Sequence, residues 1–437
     1  MDSNNRRKII AIPSKNLGES GYNMYISIYK TLKLNGYTCY FLQPNKFVKE
    51  YLLKSGVDEL DILELKENIY YIKKYSNTEK KEYKQIITFI EKFFGKLSFN
   101  SILNENLKEY SEYDYIIKKF NINTIIVYNG IFRIGRLVGL DNKCEIIYFE
   151  NGYFPNTLQI DNKGINAESS ITDIKYEELL KYKKLNNDII KKVEIFNKNI
   201  SINYFKKITL NLKSYNYKTN FFYTLFLIRK IIEIVKKNLY YNFLKEKGIE
   251  KNGKYIFIAF QVHDDTQLIF NSPIIKNMSE ILDLYYNDIN LIFPNYKIVV
   301  KEHPMDIGRI NYSNLQRKYP DIIWIKKGNI DDIINKSEYV ICINSSVGFQ
   351  ALSKYKKVFT LGENFYSNNP WVEKLENKES FKEQLIKLKD KKLDNKKIDE
   401  YIKIFKNELF INGAGKGWAW ENYNEKTIKK ICEYIVK

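Results

Sequence analysis

Residues 8–34, KIIAIPSKNLGESGYNMYISIYKTLKL, decide the fold class. The run KIIAIP at 8–13 is short, apolar and bounded by a proline, as in a buried strand. A Gly/Ser loop is expected at 18–21, and a helix from there towards Leu34. Strand, glycine-bearing loop and helix in that order open a doubly wound α/β domain. Further strand-like runs at 37–42, 124–128 and 145–149, with lysine-rich helical segments between them, predict a parallel sheet.

The pattern changes at 176–247 to long helical stretches, in particular 221–245, where apolar and aromatic residues recur every three or four positions among lysines. This reads as a helical insertion, and both a cover for the first core and attachment to an anionic membrane surface fit it. The polar stretch EKGIEKNGK at 246–254 reads as a linker. A second α/β unit follows, with apolar runs at 255–260, 296–300, 322–325, 339–343 and 357–361. The expected domains are therefore 1–248, 249–400 and a C-terminal helical segment, 401–437, that packs back on the first.

With 437 residues the chain exceeds one ordinary core, and its 44% hydrophobic and 28% charged residues are globular in proportion. The formal charge is +19, but only seven of the 71 basic residues are arginine, and the lysines are spread over nearly every segment. Nucleic-acid binding would cluster them beside stacking aromatics, so it is not expected. An anionic lipid or saccharide partner remains compatible. Cys39, Cys144, Cys342 and Cys432 form no CxxC pair, and His263 and His303 are the only histidines, so no zinc-ligand set is present. The N-terminal MDSNNRRKII holds no apolar signal core, and no run of about 18 uncharged apolar residues occurs. The expected location is cytoplasmic, or peripheral at the inner face of the cytoplasmic membrane.

Candidate chemistry gathers just after predicted strands. The run Lys301, Glu302, His303 and Pro304 places a cation, a carboxylate and an imidazole at a sheet edge, suited to a nucleotide phosphate or ribose; a solvated loop is the plainer reading. Asn344, Ser345, Ser346, Val347 and Gly348 lead into the helix FQALSKYK, where an anion site or a simple N-cap both fit. In QVHDDTQ, Asp264 or Asp265 could attack an electron-poor sugar carbon, or cap a helix. In the N-terminal half, Glu150 ends a strand ahead of Asn151, Gly152 and Pro155, in what reads as a long polar, aromatic-bearing loop that could form a sugar platform. Asn129 and Gly130 precede Arg133 and Arg136, which suit a sugar carboxylate or a plain helix surface.

Four blocks in order, FENGYFPNTLQIDNKGINA (149–167), QVHDDTQLIFNSP (261–273), VVKEHPMDIG (299–308) and INSSVGFQAL (343–352), resemble the capsule polysaccharide biosynthesis family, whose members transfer 3-deoxy-D-manno-octulosonic acid (Kdo) from CMP-Kdo. The resemblance spans about residues 125–365. It implies an α/β, GT-B-like fold of two Rossmann-type domains facing a central cleft. It also implies a retaining β-Kdo transferase for capsule or surface polysaccharide, acting on a lipid-linked or glycan acceptor, with no metal or other cofactor. On that resemblance Asp265 is the nucleophile, with Asp264 its rival, and Glu150 is the acid/base. Lys301, His303, Ser345 and Ser346 hold the CMP phosphate and ribose together with Asn344, while Glu302 and Gln261 are supports. Asn151, Gly152, Arg133 and Arg136 remain candidates for the sugar. A transferase using another nucleotide-sugar donor and a non-catalytic glycan-binding assembly subunit are the alternatives.

Overall fold

The strands form where the sequence offers short Ile/Val-rich runs, which fit the interior of a parallel sheet covered on both faces. The computed structural model describes residues 8–13, 19–42, 46–64, 77–94, 99–128, 133–181, 189–196, 254–326, 328–413 and 423–437. The helical insertion read at 176–247 and the linker read at 246–254 lie largely outside these residues. The chain divides into two compact units: Met1–Ile165, Tyr182–Tyr223 and Phe405–Lys437 make up one, and Asn166–Lys181 and Thr224–Ile404 the other.

In chain order the first unit contributes β1 (Ile9–Pro13), β2 (Thr38–Leu42), β3 (Ile62–Leu63), β4 (Thr124–Tyr128), β5 (Glu145–Asn151) and β6 (Thr157–Asp161). The second contributes β7 (Tyr255–Ala259), β8 (Lys297–Lys301), β9 (Ile323–Ile325), β10 (Tyr339–Cys342), β11 (Lys357–Thr360) and β12 (Val372–Lys374), and β13 (Phe410–Asn412) returns to the first sheet. The second sheet has the order β12-β11-β10-β7-β8-β9 and is parallel throughout. Strand order reverses between β7 and β10, so their carboxyl ends frame the crevice where doubly wound sheets bind ligands. The first sheet, β13-β6-β5-β4-β1-β2-β3, is parallel from β5 to β3, with β6 and β13 added antiparallel. Both units are thus Rossmann-type, and the chain has the α/β composition of a GT-B-like protein.

Two readings change. The segment after Glu150 is a β-hairpin instead of a long loop: TLQID is buried along its length and pairs with β5, Glu150 opposite Gln159. Residues 19–21 belong to the helix Glu19–Leu34 and not to a loop. A glycine and a serine fit there because the first turn of a helix has no intrahelical partner for its N–H groups.

The helix Glu19–Leu34 is enclosed on several sides. It buries Met24, Tyr25, Ile26, Ile28, Tyr29 and Leu32. The same core takes in Ile428, Ile431, Cys432 and Ile435 of the helix Glu425–Val436. Burial of each such side chain is worth about 1.5–3 kcal/mol as an upper figure. Ser27 and Thr31, on one helix face, and Asn35 just past the helix end grip residues 191–196. Phe196 N donates to Ser27 Oγ at 2.9 Å, Glu194 N to Thr31 Oγ1 at 3.1 Å and Lys191 N to Asn35 Oδ1 at 2.8 Å. Among the described residues no helix is long and apolar enough to cross a membrane.

Candidate active site

Three of the four sequence blocks end strands of the second sheet. Gln261 to Asp265 follow β7, Lys301 closes β8 ahead of Glu302 and His303, and Asn344 to Ser346 follow β10. The strands β8, β7 and β10 are neighbours. At about 4.8 Å between strands, the three loops leave one sheet edge within roughly 10 Å of one another.

Two buried amides tie the edge together. Gln261 Nε2 donates to Asn344 Oδ1 at 3.0 Å and Asn344 N to Gln261 Oε1 at 2.9 Å, while Asn344 Nδ2 reaches the carbonyls of Gln267 and Asn271 at 3.0 and 3.1 Å. Gln261 therefore joins the loop after β7 to the loop after β10. Asn344, read as a donor-binding residue, has its side-chain amide engaged by protein groups, since an amide offers two donors and one acceptor oxygen.

Ser345 caps the helix Ser346–Leu352, its Oγ accepting from Val347 N at 3.2 Å, and both Ser345 and Ser346 stay partly exposed. Tyr366 OH donates to the Ser345 carbonyl at 2.7 Å. Gly348 keeps this turn in place: a Cβ there would meet Cys342 Sγ at 2.8 Å and Tyr366 Cε2 at 3.1 Å, and would lie closer still to the Tyr366 hydroxyl. Helix propensity alone would make Gly348→Ala stabilising by about 1 kcal/mol. We expect the opposite sign, a loss of about 1–3 kcal/mol in denaturant unfolding, because the methyl overpacks a filled site. A stabilised Gly348→Ala protein would contradict that packing.

At the β8 edge, Lys301 and Glu302 are buried. Gln316 Nε2 donates to Glu302 Oε1 at 3.3 Å, and Lys326 Nζ stands 3.7 Å from the same oxygen. Burial pushes the Glu302 carboxyl up, against the pull of Lys326. His303 is partly exposed and accepts from Met305 N through Nδ1 at 3.2 Å, which in the neutral ring puts the proton on Nε2.

After β7, Asp265 caps the helix Thr266–Asn271, its Oδ1 accepting from Gln267 N at 2.9 Å. The capping reading of the DD pair is thus correct for Asp265, and a cap that uses one oxygen leaves the other for chemistry. Burial holds the Asp265 carboxyl above the ordinary aspartate range, with the charges of Asp264 and Asp306 adding to the effect and the Gln267 N–H opposing it. Asp264 differs: the Arg309 guanidinium forks onto it, with Nη1 at 3.3 Å from Oδ1 and Nη2 bonded to Oδ2. Asp306, absent from the sequence reading, is 1% exposed and takes both His263 N and His263 Nδ1 at 2.8 Å. Among the described residues His263, Asp264 and Asp306 have metal-ligand spacing, within 4.8 Å, but the Arg309 cation already answers their charge. The four cysteines are free and buried, with the Cys342 thiol pushed up to about 11 by burial, so no thiolate is on offer.

In the first unit, Glu150 is buried on β5 and its Oε1 accepts from Asn151 N at 2.8 Å. Gly152 N donates to Thr157 O at 2.7 Å to close the hairpin, and a Cβ at Gly152 would meet Thr157 Cβ at 2.8 Å. Gly152 therefore acts through its missing side chain. Arg136 lies 3.4 Å from Glu82 and over the Tyr148 ring at 5.5 Å with its side chain only 12% exposed, so it is packed within the first unit and the helix-surface reading does not hold for it. Arg133 begins the helix Arg133–Asp141, while Asn129 and Gly130 lie outside the described residues.

A family model described as capsule polysaccharide biosynthesis protein matches residues 130–407. Protein FixF of Sinorhizobium fredii is 26% identical over 268 residues, covering 61% of this chain and 52% of that protein, so the chain spans about half the length of this relative. Among solved structures, the KpsC β-Kdo 2,7 transferase of Thermosulfurimonas dismutans covers 74% of this chain and 89% of its own at 18% identity and a TM-score of 0.38. The UDP-GlcNAc 2-epimerase of Methanocaldococcus jannaschii covers 92% and 99% at 13% identity and a TM-score of 0.32.

Proposed function

Because this chain belongs to the capsule polysaccharide biosynthesis family, we propose that it is a retaining β-Kdo glycosyltransferase that takes Kdo from CMP-Kdo and builds surface polysaccharide at the cytoplasmic face of a membrane. What supports the reading is the sheet edge at β8, β7 and β10, which puts one partly open carboxylate, Asp265, beside two loops able to grip an anion.

In the first step an Asp265 oxygen bonds to the anomeric carbon, and the carbon–oxygen bond to the CMP phosphate breaks with its electron pair leaving on the phosphate. Lys301, His303 and the hydroxyls of Ser345 and Ser346 receive that charge. In the second step the acceptor hydroxyl attacks the same carbon, Glu150 takes its proton, and the ester electrons return to Asp265. Two inversions give net retention. The +19 chain offers a field that attracts anionic donor, acceptor and lipid alike.

Calorimetric titration with CMP, UDP and GDP tests the donor assignment. CMP should bind at least about ten-fold tighter than the other two, a difference of about 1.4 kcal/mol, and transfer should persist in EDTA because protein cations serve the leaving group. Preference for UDP or GDP would transfer the proposal to another sugar nucleotide, and EDTA inactivation would place a metal in the reaction.

A further inference from the structure

We propose that Asp306 and Arg309 are positioning residues that clamp the loop after β7 so that Asp265, and not Asp264, presents its carboxylate to the donor. The inference rests on the double-displacement reading above. Asp306 is almost fully buried and holds His263 twice, by its backbone N–H and by its ring. Arg309 engages both oxygens of Asp264 and comes within 3.5 Å of Asp306. A carboxylate held by a guanidinium fork has its lone pairs engaged and is a weaker nucleophile. Asp265, one residue on, is anchored by its own N–H to Val262 O at 3.1 Å and by the cap through Oδ1. Among the described residues no donor meets its second oxygen.

The clamp also links the nucleophile loop to the donor grip. Asp306 N donates to His303 O at 2.9 Å, and Arg309 N to Asp306 O at 2.9 Å, so His303, Asp306 and Arg309 belong to one tight turn. His303 and the loop after β7 are therefore joined through hydrogen-bonded groups.

The test uses the full chain with Asp306→Asn, Arg309→Gln, Asp264→Asn and the double variant Asp264→Asn/Arg309→Gln, reading CMP affinity, kcat with CMP-Kdo and unfolding. Asp306→Asn should lower kcat about 100-fold, the scale of a small misplacement of the attacking atom, with CMP affinity within about three-fold of wild type. Arg309→Gln should lose a similar factor by leaving Asp264 unpaired, and adding Asp264→Asn should recover about ten-fold. Asp264→Asn alone should stay at least about 100-fold more active than Asp265→Asn. Should Asp264→Asn match Asp265→Asn, should the double variant show no recovery, or should CMP affinity fall in step with kcat, the inference is overturned. If Asp306→Asn does not fold, Arg309→Lys, which keeps the charge and loses the fork, decides by an intermediate loss of kcat. A wild-type chain with no turnover of CMP-Kdo sinks the donor reading instead. In that case the unfolding cycle of Asp264 and Arg309 still tests the clamp, and additive effects there refute it.

Discussion

Asp265→Asn is expected to fold, to bind CMP and to lose transfer by about 10⁴-fold or more, because an amide cannot form the covalent sugar ester. The cap geometry lets this variant separate the proposed chemistry from scaffolding. Asparagine caps a helix as well as aspartate, so the Oδ1 bond to Gln267 N survives, whereas Asp265→Ala also loses about 1 kcal/mol of capping. The sign of the pH effect follows from the raised Asp265 carboxyl. The folded chain holds this proton more tightly than the unfolded one, so the contribution to stability is fully present below the ordinary aspartate range and is lost as pH rises through the raised value. Asp265→Asn should therefore be at least as stable as wild type at neutral pH. The acid limb of the wild-type rate profile should lie above that of an unperturbed aspartate. An Asp265→Asn protein that still transfers sugar, with its fold intact by circular dichroism, would remove the residue from the mechanism.

The companion result concerns Glu150→Gln, for which transfer should drop by about 10²–10⁴-fold while a sugar adduct builds up on Asp265. On the proposed mechanism the CMP phosphate leaves as a stable anion without a proton donor, so the first step should proceed, but the acceptor hydroxyl should then lack its base. Intact-protein mass spectrometry after incubation with CMP-Kdo reads the adduct directly, and Asp265→Asn, which should show none, is the control. The glutamine keeps an oxygen to accept from Asn151 N, so the β5 edge should hold. If Glu150→Gln turns over like wild type, or gives no adduct while wild-type chain does, the base lies elsewhere.

The sequence disclosed the strands that are apolar along their length. The runs at 124–128, 255–260 and 339–343 mark β4, β7 and β10 to within a residue, because a parallel strand buried on both faces leaves no room for polar residues. It hid β6, whose TLQID mixes polar and apolar residues and is held by its partner β5, and it hid β3 and β12, too short to carry a pattern. The strand ends in turn disclosed where the candidate loops would gather in the second unit. What they could not show is which side chains face each other. The Gln261–Asn344 pairing joins residues 83 apart, and Arg309, which stands outside all four blocks, meets Asp264 only through the turn that follows His303. Charge patterning around MDIGR was the available signal, but two carboxylates and one guanidinium within reach allow several pairings until the backbone selects one.

The enclosed helix Glu19–Leu34 has a bearing on biogenesis. The residues that cover its apolar surface, Ile428 to Ile435, come more than 390 positions later in the chain. A nascent chain must therefore carry an uncovered greasy flank while those intervening positions are made, the condition under which ribosome-associated chaperones are engaged. A premature stop codon ahead of the helix Glu425–Val436 would leave that flank bare, giving inclusion bodies even though every residue of the second unit had already been made.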